Sequence, residues 1–344
     1  MKCEPLIIIT GAAGFIGSAL AWRLNGLGRN RLLLVDQLGK SPKWRNLVPL
    51  RYHDYMEKAD FLEAVRGGRL DDLDVEAVIH MGACSSTTEQ DGSYLATNNF
   101  EYTKHLASWC LDRAKPVRFI YASSAATYGD GEYGYADDHA RLPDLRPLNM
   151  YGYSKHMFDL WCLEQGTLDQ VVALKFFNVY GPNEYHKGHM KSMVVKAYEQ
   201  IKETGRVQLF KSHHPEYRDG EQMRDFVYVK DAVDMALFFL DASVAGGTYN
   251  VGTGTARTWV DMMNALFRSL GKEPRIEFVP MPDVLREKYQ YYTKADPGKI
   301  VRAGYSKPTR SLEEGIADYV TYLEAGQQPL GWVKGLEVER TEHA

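Results

Sequence analysis

Short runs of apolar residues recur along the first half of the chain, with helical stretches between them. The runs are LIIIT, RLLLVD, AVIHMGA, RFIYASSA and VVALKFFNVY, at 6–10, 31–36, 77–83, 118–125 and 171–180. They are nearly continuous in apolar residues, which is typical of strands that are buried on both faces of a parallel sheet. Because a helical stretch follows each run, the pattern predicts an α/β fold with a doubly wound parallel sheet.

The regular alternation ends after Gly181. A helix predicted around 190–203 is followed by the polar, irregular stretch VQLFKSHHPEYRDGEQMRDF. Next comes DFVYVKDAVDMALFFLD, a predicted strand and helix that could return to the main sheet. The rest of the chain alternates again, in a smaller α/β region that we expect to hold a substrate.

The pattern therefore predicts two domains and a tail. The first domain is expected at 1–180 plus about 226–252, the smaller α/β domain at about 181–225 plus 253–330, and a loosely held charged tail at 331–344.

Composition and charge narrow the class of protein. The 344 residues are 44% hydrophobic, enough for a sizeable core, and the net charge of -4 does not favour nucleic acid or anionic membrane as a partner. The cysteines (Cys3, Cys84, Cys110, Cys162) form no Cys-x-x-Cys motif, so neither a zinc site nor a disulfide framework is predicted. We find no signal peptide and no run that could span a bilayer, and we expect a cytoplasmic protein.

A glycine-rich turn follows the first predicted strand. The motif TGAAGFIG places Gly11, Gly14 and Gly17 at the start of a helix, where the backbone can approach a pyrophosphate at the positive end of the helix dipole. The turn alone would also fit a merely tight connection. Asp36 ends the second strand, however, where a ribose-binding carboxylate is expected. Together these features predict a Rossmann domain that binds a dinucleotide.

The residues around Asp36 leave the choice between NAD and NADP open. Asp36 favours the free 2′-hydroxyl of NAD, whereas Gln37 is neutral. Four cationic residues follow, namely Lys40, Lys43, Arg45 and Lys58. Any of them could neutralise the 2′-phosphate of NADP, and the alternative is that they are ordinary solvated charges.

A tyrosine and a lysine lie one helical turn apart in the motif MYGYSKH. Tyr151 and Lys155 are predicted to share one face of a helix. A phenol titrates near pH ~10, and a neighbouring ammonium lowers its pKa and makes it a usable base. Ser124, in YASSAATYG, ends the fourth strand and could hydrogen-bond a substrate hydroxyl or carbonyl. Tyr151 and Lys155 alone would also fit a surface contact. Ser124, Tyr151 and Lys155 together with the glycine turn are a far more specific combination than the pair.

These motifs resemble the extended short-chain dehydrogenases/reductases over nearly the whole chain. The resemblance implies a nicotinamide cofactor, a nucleotide-sugar substrate and a catalytic triad of Ser124, Tyr151 and Lys155. It implies cofactor contacts from Gly11, Gly14, Phe15, Ile16, Gly17, Asp36, Gln37, Lys43, Lys58, Met81, Gly82, Ala83, Cys84, Ser85, Asn98, Tyr151, Lys155, Val179 and Lys187.

Dehydratases of that family carry acidic residues directly after the serine, where they protonate a leaving hydroxyl. Ala125 and Ala126 stand at those positions here, so a dehydratase is not predicted.

Within that family the chain most resembles the ADP-L-glycero-D-manno-heptose 6-epimerases. The stretches that carry the resemblance are HMGACSSTTEQDG, YASSAATYG, NMYGYSK, FFNVYGPNEYHKGHM, RDFVYVKDAVD and YQYYTKAD. The resemblance implies inversion at C6 of an ADP-heptose for lipopolysaccharide synthesis. It implies tightly held NADP, with oxidation to a ketone and re-reduction on the opposite face. It also implies a homo-oligomer, and a pentamer is one such assembly.

The segment GPNEYHKGHMKS raises a separate question about Lys187. The resemblance implies that this lysine is a second acid/base opposite Tyr151, which requires its pKa to fall towards neutrality. His186 and His189 flank it and could pass for a metal pair. No third ligand lies close in sequence, so no metal site is predicted, and we expect His186 to shape the loop.

The resemblance also implies a set of substrate contacts. They are Ser124, Asn178, His189, Lys196, Phe210, Lys211, Ser212, His213, Arg224 and Tyr289. Two departures from the family pattern fall in this region: HHPEYRDGEQ is longer than expected, and His189 and Lys196 replace small or polar residues. The exact sugar and nucleotide therefore stay open. The alternatives are another nucleotide-sugar epimerase or reductase, and a non-catalytic dinucleotide sensor.

Overall fold

A computed structural model describes residues 4–286 and 289–332 of the chain. The strands are β1 (Leu6–Thr10), β2 (Leu32–Asp36), β3 (Asp54–Glu57), β4 (Val75–His80), β5 (Arg118–Ser124), β6 (Val171–Phe176), β7 (Asn178–Tyr180), β8 (Val207–Phe210), β9 (Met223–Tyr228), β10 (Gly247–Val251), β11 (Ala256–Thr258) and β12 (Ile276–Val279). The helices are α1 (Phe15–Gly26), α2 (Lys58–Arg66), α3 (Gly92–Leu95), α4 (Tyr102–Leu111), α5 (Met150–Glu164), α6 (Met193–Thr204), α7 (Val229–Phe238), α8 (Trp259–Ser269), α9 (Asp283–Arg286), α10 (Gly298–Arg302) and α11 (Leu312–Glu324).

A parallel sheet of seven strands forms the centre of the fold. Its order is β3-β2-β1-β4-β5-β6-β10, so the chain reverses direction across the sheet between β1 and β4. Alternate residues of β1 enter two separate hydrophobic clusters. Ile7 and Ile9 pack with α1 and α7, whereas Leu6 and Ile8 pack with α2, α4 and α5. Helices therefore cover both faces, and the predicted doubly wound α/β fold is confirmed.

Two small sheets lie outside the central one. Strands β7, β9 and β11 form one of them, and β8 pairs with β12 in the other. The apolar run at 171–180 is thus not one strand, because the chain leaves the central sheet at Phe177. There the Phe177 amide donates to the Val251 carbonyl at 3.0 Å, and the next three residues pair with β9.

The strand predicted at DFVYV is β9, but it does not return to the central sheet as expected. It pairs with β7 and β11, and the strand that returns is β10. An apolar strand looks the same in sequence whichever sheet it joins, so the pattern could not decide between the two. The division into two domains stays a prediction.

Two predicted features fall partly beyond the described residues. Cys3 and residues 333–344 of the tail lie outside the ranges that the structure describes. Within those ranges, no helix combines the length and the apolar character needed to cross a bilayer.

Candidate active site

A cavity of about 1000 Å³ opens at the carboxyl ends of the central strands. Its walls come from the glycine turn after β1, the end of β2, the segment after β4 and the ends of β5 and β6. Parallel strands present their carboxyl ends at one edge, and the order of this sheet reverses between β1 and β4. A crevice at such a point is where open α/β sheets bind ligands.

The cavity gathers most of the predicted site residues. Every residue expected to contact a cofactor lines it, and so do Ser124, Asn178 and Lys196. The other expected substrate residues do not line it, namely His189, Phe210, Lys211, Ser212, His213, Arg224 and Tyr289. The role of each residue stays a prediction.

The glycine turn lies against the segment that follows β4. Gly11 has φ +65°, and a Cβ there would come within 2.7 Å of the Gly82 amide nitrogen. A Cβ on Gly17 would lie 2.2 Å from the Gly11 carbonyl oxygen. Gly14 caps α1 without a side-chain hydrogen bond to the first amides of the helix. Side chains at Gly11 and Gly17 would therefore force this tight turn apart. The tight turn and the free amides at the start of α1 fit a pyrophosphate.

The Asp36 carboxylate is held in place at the end of β2. Only 7% of Asp36 is exposed, and its carboxylate accepts hydrogen bonds from the amides of Ala13 and Gln37, each at 2.7 Å. The Lys43 ammonium lies 2.6 Å from the same carboxylate. A cation therefore stands beside the carboxylate where the ribose of a dinucleotide would lie.

Helix α5 positions the tyrosine and the lysine of the predicted triad. Asn149 caps the helix, and its side chain accepts from the Gly152 amide at 2.8 Å, which fixes the first turn. Burial raises the pKa of Tyr151, and the neighbouring Ser124 side chain opposes this. The tyrosine thus needs a further cationic influence before it can serve as a base.

Lys155 is a buried cation with unused hydrogen-bonding capacity. It is 2% exposed, and its Nζ finds no hydrogen-bond partner among the described residues. Burial lowers the pKa of its ammonium to about 8, and the Asp159 carboxylate acts in the opposite direction. A buried ammonium without a partner fits the hydroxyl groups of a cofactor ribose, which supports this cavity as a dinucleotide site.

The loop from 181 to 192 is clamped at two residues that the sequence analysis did not single out. Asn183 has φ +80°, and its side chain donates to Ser18 Oγ at 2.8 Å and accepts from the Leu330 amide at 2.7 Å. Buried Glu184 accepts from Ser192 Oγ at 2.7 Å and from the Tyr319 hydroxyl at 3.0 Å. The Pro-Asn pair in GPNEYHKG is a turn signal that could have identified the first clamp.

Lys187 is carried by this clamped loop to the cavity wall. Its Nζ lies 5.5 Å from the centre of the Phe15 ring. Burial lowers the pKa of Lys187, and the Glu184 carboxylate opposes the change. The direction is the one that a lysine acid/base requires near neutral pH.

The two histidines beside Lys187 lie in different surroundings. His186 lines the cavity, and burial lowers its pKa to about 4, so its imidazole is neutral at pH ~7. His189 is exposed and lies outside the cavity wall. In the part of the chain that the structure describes, no group of three or more His, Cys, Asp or Glu residues is arranged to hold a metal ion.

Asn99 is another residue that the sequence analysis missed. It is 1% exposed and lies in a π-helical turn, Ala96–Glu101, between α3 and α4. The Asn99 side chain accepts from the Cys84 amide at 2.8 Å. It donates to the Cys84 carbonyl oxygen and to Ser154 Oγ, each at 2.9 Å. Asn99 therefore ties the segment after β4 to α5. The sequence offers no local signal for this, since the contact spans 55 residues.

An arginine surrounded by aromatic rings lies next to the cavity. Trp259 lines the cavity, and its indole donates to the Tyr289 hydroxyl at 3.1 Å. The Arg224 guanidinium lies 5.2 Å from the Tyr289 ring centre and 5.9 Å from that of Trp259. Arg224 is 7% exposed, and among the described residues it makes no ion pair with a carboxylate. Both of its terminal nitrogens donate to backbone carbonyl oxygens, those of Met223 and Gln290, so within the described residues the positive charge has carbonyl partners but no neutralising carboxylate.

The remaining predicted substrate residues lie further out. Ser212 and His213 follow β8, and the His213 amide donates to the Tyr291 hydroxyl at 3.2 Å. Tyr291 in turn packs edge to face against Tyr289, with ring centres 5.3 Å apart. These contacts link the 211–213 segment to the aromatic surroundings of Arg224.

Comparison with known proteins shows what this chain resembles. The model of the NAD dependent epimerase/dehydratase family matches residues 7–252. A protein of Nitratidesulfovibrio vulgaris named ADP-L-glycero-D-manno-heptose-6-epimerase is 51% identical, over 94% of this chain and 99% of its own. A protein of Fusobacterium nucleatum with the same name is 49% identical, over 92% and 97%.

Solved structures give the same picture. The Helicobacter pylori ADP-L-glycero-D-manno-heptose-6-epimerase superposes with a TM-score of 0.78 at 27% identity, covering 94% of this chain and 97% of that one. A UDP-glucuronic acid 4-epimerase variant of Bacillus cereus, in complex with a UDP-sugar and NAD, has a TM-score of 0.75 at 25% identity, covering 93% and 99%.

Proposed function

The chain belongs to the NAD dependent epimerase/dehydratase family, and we propose that it is the isomerase that inverts C6 of an ADP-heptose. It would convert ADP-D-glycero-D-manno-heptose into the L-glycero form, as the supply step for the heptose of lipopolysaccharide. The observation that supports this best is the single cavity that joins the glycine turn to Ser124, Tyr151, Lys155 and Lys187. The names of relatives that match nearly the whole chain agree with it.

The proposed chemistry needs two acid/base groups. A bound nicotinamide would supply hydride acceptance from C6 and hydride return to the opposite face of the resulting ketone. Tyr151 would remove the hydroxyl proton of one C6 epimer, with Ser124 hydrogen-bonded to the same oxygen. Lys187 would exchange the proton on the opposite face. Because every proton and hydride is returned, the reaction has no net redox change and the cofactor need not leave.

The two lysines would act in different ways. Lys155 is buried one helical turn after Tyr151 on α5, and its positive charge would stabilise the phenolate. Lys187 transfers a proton itself, which its clamped loop and lowered pKa favour.

The cofactor that we propose is NADP. In support, Lys43 pairs with Asp36, which offsets the negative charge that would otherwise repel a 2′-phosphate. Lys58 lines the same cavity and donates to the Asn98 side chain. NAD stays the alternative, since Asp36 also suits a free 2′-hydroxyl.

Lys43→Ala is expected to weaken NADP binding roughly 10- to 100-fold and to leave NAD binding nearly unchanged or stronger. Without Lys43 the buried carboxylate is unpaired and repels a 2′-phosphate. Isothermal titration of the cofactor-free protein with both dinucleotides measures the ratio. Lys272→Ala, which removes an exposed lysine that does not line the cavity, is the control. Equal losses for NADP and NAD would contradict the assignment.

We further propose that Arg224 grips the diphosphate of the substrate. It is a buried cation without a carboxylate partner among the described residues, and it lies beside the cavity-lining Trp259. Arginine can hold two phosphate oxygens at once, which a lysine cannot.

Arg224→Gln is expected to raise KM for the nucleotide-sugar by roughly 10- to 100-fold with a smaller change in kcat. Arg224→Lys keeps the charge and should recover part of the loss. Initial rates over a range of substrate concentrations give both constants. A fall in kcat at unchanged KM would place Arg224 elsewhere in the reaction.

The decisive experiment is proton NMR of ADP-D-glycero-D-manno-heptose incubated with protein as purified and with no cofactor added. We expect the signals of the C6 epimer to grow until both epimers coexist. An inert ADP-heptose, together with turnover of a UDP-hexose in a parallel sample, would replace this function by another nucleotide-sugar epimerase. Bound NADP with no turnover of any sugar would favour a sensor. The cytoplasmic location and the homo-oligomer, including a pentamer, stay predictions.

A further inference from the structure

An ion pair without solvent contact lies behind the cavity. The side chains of Asp159 on α5 and Lys175 on β6 are both 0% exposed, and their charged atoms are 2.7 Å apart. The carboxylate also accepts from Ser123 Oγ at 3.0 Å and from the Tyr121 hydroxyl. An ion pair this deep is costly to desolvate, and it contributes little net stability compared with apolar residues of the same volume. Its presence therefore calls for another explanation.

The ion pair belongs to a network that ends at two residues of the proposed triad. Lys175 Nζ donates to Thr127 Oγ1 at 2.7 Å, and Thr127 Oγ1 donates to the carbonyl oxygen of Ser124 at 2.8 Å. On the other side, the Tyr121 hydroxyl lies 3.2 Å from the carbonyl oxygen of Lys155. The network thus fixes the backbone of Ser124 on β5 relative to that of Lys155 on α5.

The charge of the Asp159 carboxylate also affects the pKa of the Lys155 ammonium. Tyr151, Lys155 and Asp159 follow each other at intervals of four residues, so they share one face of α5. Burial lowers the pKa of Lys155, and Asp159 is the main influence that raises it.

The other groups around these two charges come from several elements. Around Lys155 they are His80 on β4, Cys84 after it and Tyr121 on β5, and Tyr151 precedes it by one turn of α5. Around Asp159 they are Lys175, Tyr121, Tyr128, His139, His156 and Cys162. His80 is neutral, because burial lowers its pKa to about 3. Asp159 is therefore the carboxylate in these sets that supports a protonated Lys155.

We propose that Asp159 is a positioning residue that keeps Lys155 protonated and in register with Ser124, while the ion pair with Lys175 keeps the buried carboxylate ionised. The inference rests on the proposed function, because a protonated Lys155 matters only if Tyr151 is the base. Hydrogen bonding without the charge would not suffice, since an amide at 159 keeps one acceptor oxygen but gives no electrostatic support.

The test compares variants that separate charge from geometry. Asp159→Asn alone leaves the Lys175 charge buried without a partner, so the main variant is Asp159→Asn/Lys175→Met, which removes both charges. Ser123→Ala removes one hydrogen bond to the carboxylate and keeps its charge. Thermal unfolding first establishes that each variant is folded.

The first readout does not depend on any sugar. NMR of protein labelled with 13C-lysine follows the titration of Lys155, whose signal is assigned by its loss in Lys155→Arg. We expect the midpoint to fall by about one pH unit in the double variant and to stay in place in Ser123→Ala. An unchanged midpoint in the folded double variant would overturn the proposal.

The second readout is the pH profile of kcat for ADP-heptose. We expect the alkaline limb of the double variant to move to lower pH by the same amount as the Lys155 midpoint. A uniform loss of activity at all pH values, with an unmoved limb, would mean that Asp159 is only structural. If the wild-type protein does not convert ADP-heptose, the proposed function fails, and the NMR titration still decides the link between Asp159 and Lys155.

Discussion

Tyr151→Phe is expected to lower kcat for C6 inversion by about 10²- to 10⁴-fold, the range that a positioned acid/base contributes. The substitution removes only the hydroxyl that exchanges the proton, and the ring that packs at the start of α5 stays. Bound cofactor and thermal unfolding should therefore be unchanged. The rate is measured by proton NMR of the two ADP-heptose epimers, and the cofactor by its release on denaturation.

Tyr153→Phe is the matched control for this experiment. Tyr153 lies two residues further along α5 and is 47% exposed, so loss of its hydroxyl should leave the rate unchanged. A Tyr151→Phe enzyme that keeps about 10% or more of the wild-type kcat would rule out Tyr151 as the acid/base.

Lys187→Ala is the second substitution with a large expected effect. We expect it to lower kcat for epimerisation by about 10²- to 10⁴-fold while the cofactor stays bound. Lys187→Arg should be equally inactive, because arginine keeps the charge but does not give up its proton near neutral pH. An active Lys187→Arg enzyme would mean that the positive charge alone matters. Full activity in Lys187→Ala would end the assignment of two acid/base groups.

Single-turnover experiments on the two variants sharpen the division of roles. With enzyme in excess, each variant is mixed with one epimer, quenched, and examined by mass spectrometry for the lighter ketone. If Tyr151 and Lys187 serve opposite faces, each variant should oxidise only one epimer, and the competent epimer should differ between them. The same epimer failing in both variants would indicate one shared proton path.

The local motifs were informative where the chemistry depends on neighbours in sequence. The glycine turn, the Asp36 position and the four-residue spacing of Tyr151 and Lys155 are set by one strand end or one helix. The structure brings all of them to one cavity, as the parallel sheet predicts.

Residues that act across the fold could not be found in this way. Asn99 and Glu184 hold the cavity segments through bonds to distant elements, and Trp259 reaches the cavity from α8. Arg224 also depends on distant neighbours, since its ring partners come from two other segments. No spacing in the sequence encodes these contacts.

The sequence by itself determined the strand-helix alternation, the dinucleotide turn and the tyrosine-lysine pair, because each follows from backbone geometry over a few residues. Only the tertiary structure decided that the chain leaves the central sheet at Phe177, that β9 pairs outside that sheet, and that β10 completes it. It also decided that Lys187 is buried enough to have a lowered pKa and that the Asp159 side chain has no solvent contact. Burial and strand pairing depend on which distant segments meet. A charged residue looks the same in sequence whether it is buried or exposed, and an apolar strand looks the same whichever sheet it joins.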